Sequence, residues 1–566
     1  MILLFLALFF SCESHPSEKS SEQHEKPNTI YYNGYIYTSD QSTSIQEAMV
    51  IEENTIIFVG TTQEALKYQT KRSSLIDLKQ KMVMPGIHDI HMHPLEVSSP
   101  SAGDIILSSE ETNPENYIPE LKYAKQKHQG NNWLIGWGHS IYTLLEGTRS
   151  PIEILDEVFP NRPVIIMEHT SHSMWVNTKA LQEAGISKDT PNPIGGIYMK
   201  DTSGNLNGIL IDNAGNMVMD IAVKEKRTDS HQKTYLGLLN YGLPKLNQHG
   251  ITSICDARTY WKRGDEKIWQ QLETNKMLSV RVNLGLWVYP TEDDHEQIET
   301  LKQMYSSDPN SFLKINQIKL YSDGITHNTT AALKKPYANL LDNSFHPKGL
   351  NYFSEQRLKT YITELEKVGY DFHIHAIGDR GIHESLNAIE YARSQNGSMG
   401  NRHRLTHLEI IDSSDLPRFN QLNVIADCQV AGEFTQPHSW SENTHTIGDR
   451  ANNMVPLKSL YEANATLTLS SDWNVSTVNP FVGITHALTR SPQNLPIDAV
   501  LQAYTVNAAY AMKHDDITGS LEKGKRADFI ILNQNIHTLA SSTPEKIKET
   551  KVLYTFLNGK QVYPQN

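Results

Sequence analysis

Eight short apolar runs ending in chemistry-bearing residues constrain this chain more than any other feature. They are GIHDIHMH (86–93), ITSICDA (251–257), LSVRVNLGL (278–286), INQIKLYSDG (315–324), DFHIHAIGD (371–379), RLTHLEII (404–411), NVIADCQ (423–429) and TLTLSSD (466–472). Helix-like stretches such as SEQRLKTYITELEKVG (354–369) and IHESLNAIEYARSQ (382–395) separate the later ones. Apolar strands alternating with helices predict a parallel sheet, and eight of them predict a closed (β/α)8 barrel, a TIM-like α/β fold. One connection breaks the rhythm. Residues 94–249 lie between the first two runs, too many for a loop, and carry their own strand-like PVIIMEHT (163–170). They read as a large insertion after strand 1, a subdomain over the barrel mouth.

The two ends of the chain share a different texture. TIYYNGYIYT, AMVIEENTIIFVG and SSLIDLKQKMVMPG near the start, and GSLEKGKRADFIILN and VLYTFLNGKQVY near the end, alternate apolar and polar residues between Gly and Asn turns. Residues 28–84 and 520–566 are therefore expected to pair into one small β domain flanking a barrel of residues 85–519. Of 566 residues, 38% are hydrophobic, enough for a sizeable core. Lys and Arg number 51 against 64 Asp and Glu, a formal charge of −13 with no basic stripe, which argues against nucleic acid. Three cysteines exclude a disulfide-rich scaffold, and Cys255 and Cys428, set in apolar runs, are expected to be buried and inert.

The first 27 residues read as a signal and tether. MILLFLALFF is too short to span a bilayer and suits the apolar region of a secretory signal. Ser11, Cys12 and a polar run to Lys26 resemble a bacterial lipoprotein signal in which Cys12 becomes the lipidated first residue, although no Lys or Arg precedes the apolar run. The expected location is outside the cytoplasm, as a membrane-anchored lipoprotein or in the periplasm. A simple signal peptide or an uncleaved apolar N-terminus is the plainer alternative.

The chain has 24 histidines, and their placement matters more than their number. In GIHDIHMH, Asp89, His91 and His93 share one strand face, which in a barrel points at the axis near the carboxyl rim where active sites form. His88 faces the other way. His375 and His407 end consecutive strands. His373 shares the His375 face one layer deeper and is assigned to the core or to a supporting contact. Asp472 follows an apolar strand, where an unpaired carboxylate would be costly to bury. Lys319 lies between Ile318 and Leu320. It faces solvent or, if inward, needs a partner such as Asp323 or conversion to a carbamate by carbon dioxide.

The set PGIHDIHMH, IKLYSDG, HIHAIGD, LTHLE and SSDWNVSTVNP, in this order, resembles the amidohydrolase superfamily. More narrowly it is similar to amidohydrolase family 3, the branch that includes N-substituted formamide deformylases. EHTSHSMWVNTKAL, PIGGIYMKDTSGNLNGIL and the tail YTVNAAYAMKHDDITGSLEKGKRADFIIL carry the same likeness across residues 28–566. The resemblance implies a distorted barrel with a composite β-sandwich from both chain ends, and a divalent metal site, expected to hold two Zn2+. By motif position His91 and His93 would bind the first ion. Lys319, N6-carboxylated, would bridge to a second held by His375 and His407, and Asp472 would sit by the first ion. His172, Trp175 and Asn177 match a branch motif and read equally as substrate contacts or as helix packing. Ser470, Asn474 and Thr178 depart from the usual Gly, Pro and Ser, so substrate preference does not transfer.

The implied reaction is hydrolysis of a small-molecule, non-peptide C–N bond of amide type by metal-activated hydroxide, with Asp472 as base and then acid. An ester is accessible to the same chemistry. A single-metal deaminase of the same superfamily is the rival enzyme, against which Lys319 argues, and a non-catalytic ligand-binding surface lipoprotein is the rival of another class. Membrane contact is expected only through the N-terminal anchor, and association into a homo-oligomer is left open.

Overall fold

The computed structural model describes residues 26–99, 103–432 and 435–565, so Cys12 and the signal-like segment lie outside the described residues. All eight apolar runs are strands of one sheet: β1 (Ile87–Met92), β2 (Ile251–Thr259), β3 (Arg281–Trp287), β4 (Leu313–Tyr321), β5 (Asp371–Ala376), β6 (Arg404–His407), β7 (Ile425–Gln429) and β8 (Leu467–Ser470). Their spatial order is the chain order, and every neighbouring pair is parallel. β1 and β8 end the ladder and are joined at their carboxyl ends. There Asp472 N–H donates to His91 O (2.8 Å) and His93 N–H to Trp473 O (2.7 Å), and the Asp89 carboxylate accepts from Ser471 N–H at 3.2 Å. The α/β barrel expected from the sequence is the fold.

Period-2 alternation explains which residues reach the axis. Ile318, Leu320, Phe372, Ile374 and Leu405 pack outward in one core with Leu358 and Ile362 of helix Glu355–Glu366 and Leu386 and Ile389 of helix Asp379–Asn396. Lys319, Tyr321, His373, His375, Arg404 and Thr406 therefore point inward. Register aligns them in layers, with Tyr321 beside His375, His375 beside Thr406 and Thr406 beside Asp427. Both faces of these strands are buried, as a parallel sheet wrapped by helices requires.

Two further sheets form at the chain ends. One, in the order Thr55–Gly60, Ala48–Glu52, Asn28–Tyr32, Ser74–Asp77, is wholly N-terminal. The other interleaves the ends, with Phe529–Leu532 lying antiparallel to Met82–Pro85. Tyr31, Met49, Ile51, Val83, Phe529 and Ile531 fill the space between them. A buried ion pair, Arg281 to Asp528 at 2.9 Å, ties this unit to β3. The 94–249 segment holds a six-stranded sheet of its own, from Ile105–Ile106 to Leu206–Asp212, and returns to β2 through the long helix Asn213–Gly237. No helix among the described residues is long and apolar enough to cross a membrane.

His88, on the outer face of β1, is buried with Nδ1 3.1 Å from Gly86 O, and burial brings its pKa down to about 4. Its ordinary value is near 6.5, so the unfolded chain takes up a proton there first as pH falls. The contribution of the neutral ring is complete above pH ~6.5 and is lost as pH falls from there through about 4, up to ~3 kcal/mol. Urea unfolding at pH 7 and pH 4.5 should show this loss, and His88→Phe should flatten the slope.

Candidate metal centre

The carboxyl rim of the barrel gathers most of the residues singled out from sequence. β1 carries His91 and places His93 one residue beyond its end. β4 carries Lys319, β5 His375 and β6 His407, and Asp472 follows β8. The Asp472 carboxylate is 3.0 Å from His93 Nε2, 3.6 Å from His91 Nε2 and 3.9 Å from His407 Nδ1. Lys319 Nζ is 3.4 Å from His91 Nε2. The rings of His91 and His407 lie 4.8 Å apart between centroids, and those of His375 and His407 4.5 Å. His407 and Asp472 have φ of 79° and 54°, a left-handed backbone that non-glycine residues adopt mostly where surrounding structure holds them.

The electrostatics suit a cation. Burial pushes the pKa values of His91 and His375 well below the imidazole range and that of His407 to about 3, leaving neutral rings. Burial also drives Lys319 well below the usual lysine value, although the Asp472 carboxylate opposes it. For Asp472, burial raises the pKa, but the hydrogen bond from His93 is the largest opposing influence and the carboxyl is held below the usual carboxylate range. His375 Nε2 lies 3.0 Å from Gly324 O, and among the described residues its buried Nδ1 has no hydrogen-bond partner, nor has the buried Nδ1 of His93. His91, His407 and Asp472 each offer a ligand atom within 4.8 Å of the others. Imidazoles with unused lone pairs beside a carboxylate are the donor set of a divalent transition-metal ion, and the residues fit one.

Beneath this layer lies a polar support of which His373 alone was expected from the sequence. His91 Nδ1 is 2.8 Å from Thr406 Oγ1, whose hydroxyl donates to Asp427 at 2.8 Å, and Asp427 also accepts from Gln429 and Ser470. His373, assigned to the core or to a supporting role, is 3.1 Å from His91 Nδ1 and accepts from Arg404 at 2.7 Å. Such contacts hold a ligand ring in place. Arg258 forks onto Glu96 (2.9 and 2.7 Å) and donates to Tyr321 OH at 3.0 Å. Asp323 is occupied elsewhere, accepting from the backbone of Ala332, Ile377 and Gly378, and is no partner for Lys319.

The three insert residues separate. His172 lines the same cavity as His91, His93, Arg258, Tyr321, His407 and Asp472. Trp175 lies in the insert core with its Nε1–H on Pro151 O (2.8 Å). Asn177 caps helix Thr178–Glu183, accepting from Ala180 N–H at 3.0 Å, and bonds Val164, Phe159 and Arg162. Neither lines that cavity; both are packed within the insert. Trp175→Ala should therefore cost about 3–5 kcal/mol of stability and leave metal content per folded chain unchanged, measured by denaturant unfolding and elemental analysis.

A parallel eight-stranded barrel with this histidine, lysine and aspartate cluster at its carboxyl rim defines a metal-dependent hydrolase of the amidohydrolase superfamily. The sequence profile of the amidohydrolase family matches residues 74–563, and the chain belongs to that family. Among curated proteins it is similar to Protein LONG AFTER FAR-RED 3 of Arabidopsis thaliana, 27% identical over 94% of this chain and 91% of the relative. It is likewise similar to the N-substituted formamide deformylase of Arthrobacter pascens, 23% identical over 93% and 96%. Among solved structures, an uncharacterized metal-dependent hydrolase from Pyrococcus furiosus shares the fold, with a TM-score of 0.68 at 24% identity over 90% of this chain and all of that one.

Proposed function

We propose that this protein hydrolyses a non-peptide C–N bond of amide type in a small molecule, with Asp472 as the proton shuttle. The observation that carries the reading is the Asp472 carboxylate held 3.0 Å from His93 and 3.6 Å from His91 in a histidine-lined cavity. His91, His93, His375 and His407 would hold two divalent ions, zinc by donor type, with Lys319 between them. When bound, such ions supply an acidified water and a Lewis acid for the carbonyl. Asp472 takes the proton of the attacking water and returns it to the leaving nitrogen, acting as base and then acid. Burial lowers the pKa of Lys319 and so favours its free amine, which could add carbon dioxide with release of a proton to give a carbamate, a carboxylate-like group that would serve as a further cation ligand.

The name of the formamide deformylase relative favours a C–N bond over an ester. A panel of N-substituted formamides, N-acyl amines and matched esters, offered to the zinc-loaded full chain, tests the reading. Turnover of a formamide or N-acyl amine above the matched ester is expected. Hydrolysis of esters alone, or release of ammonia from ring amidines alone, would sink it. Near two metal ions per active chain favours the bridged site, and near one favours the deaminase.

A further inference from the structure

The insert reaches the metal centre with a histidine–carboxylate pair that no barrel strand supplies. His172 sits in the loop between the insert strands Val164–Glu168 and Ser173–Val176. Its ring is buried, stacks on Tyr321 with centroids 5.5 Å apart, and lies 5.4 Å from the ring of His375. Nδ1 is 2.6 Å from Oδ1 of Asp212, the last residue of strand Leu206–Asp212 and itself buried. Asp212 grips the loop twice, because its N–H also donates to His172 O at 2.8 Å.

Two details mark this pair as built for a purpose. Asp212 has φ 53° and ψ −124°, a region that side-chain-bearing residues rarely adopt. Gly324, at the end of the β4 run, packs closely here: a Cβ there would stand 2.1 Å from Thr330 Oγ1 and 2.9 Å from Asp212 Oδ2.

The chemistry follows from what a carboxylate can do. It accepts hydrogen bonds and does not donate them, so the 2.6 Å contact puts a proton on Nδ1 of His172, and in that tautomer the lone pair is on Nε2. Nε2 makes no hydrogen bond among the described residues, and it is the one polar ring atom left for a ligand in the cavity the ring lines. A lone pair there repels a carbonyl oxygen. The complementary group on an amide is its N–H.

Resting on the amide-hydrolase reading above, we propose that His172 is a specificity-determining residue that accepts a hydrogen bond from the substrate N–H. Asp212 is the positioning residue that sets its tautomer. The preferred substrates are then secondary amides and formamides, R–CO–NH–R′, over N,N-disubstituted analogues. Sites built to bond a substrate N–H or O–H reject analogues that lack it far more strongly than apolar pockets reject a methyl group.

The test compares an N-alkylformamide with its N-methylated analogue on zinc-loaded full-length protein. Wild type should favour the N–H substrate by about 100-fold or more in kcat/KM. His172→Ala and Asp212→Asn should bring that ratio to within about tenfold at unchanged metal content. In the Asn variant the amide can donate to Nδ1 and invert the tautomer, the effect known from triad aspartates. His172→Gln, which retains an acceptor oxygen, should recover part of the preference. Equal use of both substrates by wild type, or variants that keep the ratio, would overturn the inference. If wild type hydrolyses neither, the amide reading fails by itself. Nitrogen-15 NMR of labelled histidines then decides the pair: a proton on His172 Nδ1, displaced in Asp212→Asn, upholds it, and one on Nε2 refutes it.

Discussion

Asp472→Asn is expected to lower kcat/KM on the best amide substrate by about a thousandfold or more while the fold and metal content persist. General acid–base groups contribute ~10²–10⁴-fold, and this residue is asked to act in both directions of proton transfer. The substitution is nearly isosteric, so what it removes is the negative charge and the ability to take a proton. It stands 3.0 Å from His93 and 3.6 Å from His91, where an amide could still bond a histidine nitrogen. Steady-state kinetics with circular dichroism and elemental analysis on the same preparation separate lost chemistry from lost structure. Activity within tenfold of wild type would show that another group moves the proton.

The second large effect concerns the ion itself. His91→Ala combined with His93→Ala should strip the site, leaving well under one metal ion per chain after dialysis. Only His407, His375, Lys319 and Asp472 would then remain of the proposed donors. His91 lies on β1 and His93 one residue beyond its end, so the double substitution removes both proposed donors that this segment contributes. It also opens a polar hole, because Thr406 and His373 lose the ring they contact at 2.8 and 3.1 Å. Some loss of thermal stability is therefore expected with the loss of metal. Unchanged metal content in a folded double variant would refute the ligand assignment.

The barrel was legible because each run is rich in apolar residues and ends in a polar signal, so eight runs could be counted without knowing any contact. The inward set followed from period 2, which put His91 with His93 and set Lys319 apart from Ile318 and Leu320. The support beneath them was not legible for a physical reason. Asp427 is one charged residue in an apolar run, and only the β6–β7 register brings it beside Thr406. Arg404 and Arg258 are equally ambiguous, since an arginine at a strand end faces water as often as a partner. Arg258 acquires its meaning from Glu96, 162 residues away in sequence. Trp175 and Asn177 shared a motif with His172, yet strand alternation and a helix cap turn them into the insert core. Asp212 carried no signal at all, because its role depends on a loop 40 residues earlier.

The central claim is that this rim cluster is the metal centre, and anomalous diffraction at the zinc edge from crystals of the zinc-loaded protein tests it most directly. The account predicts two peaks, one among His91, His93 and Asp472 and one among His375 and His407, with extra density on Lys319 Nζ between them. No anomalous peak within bonding distance of these residues, or a fully occupied ion bound elsewhere in the chain, would contradict it.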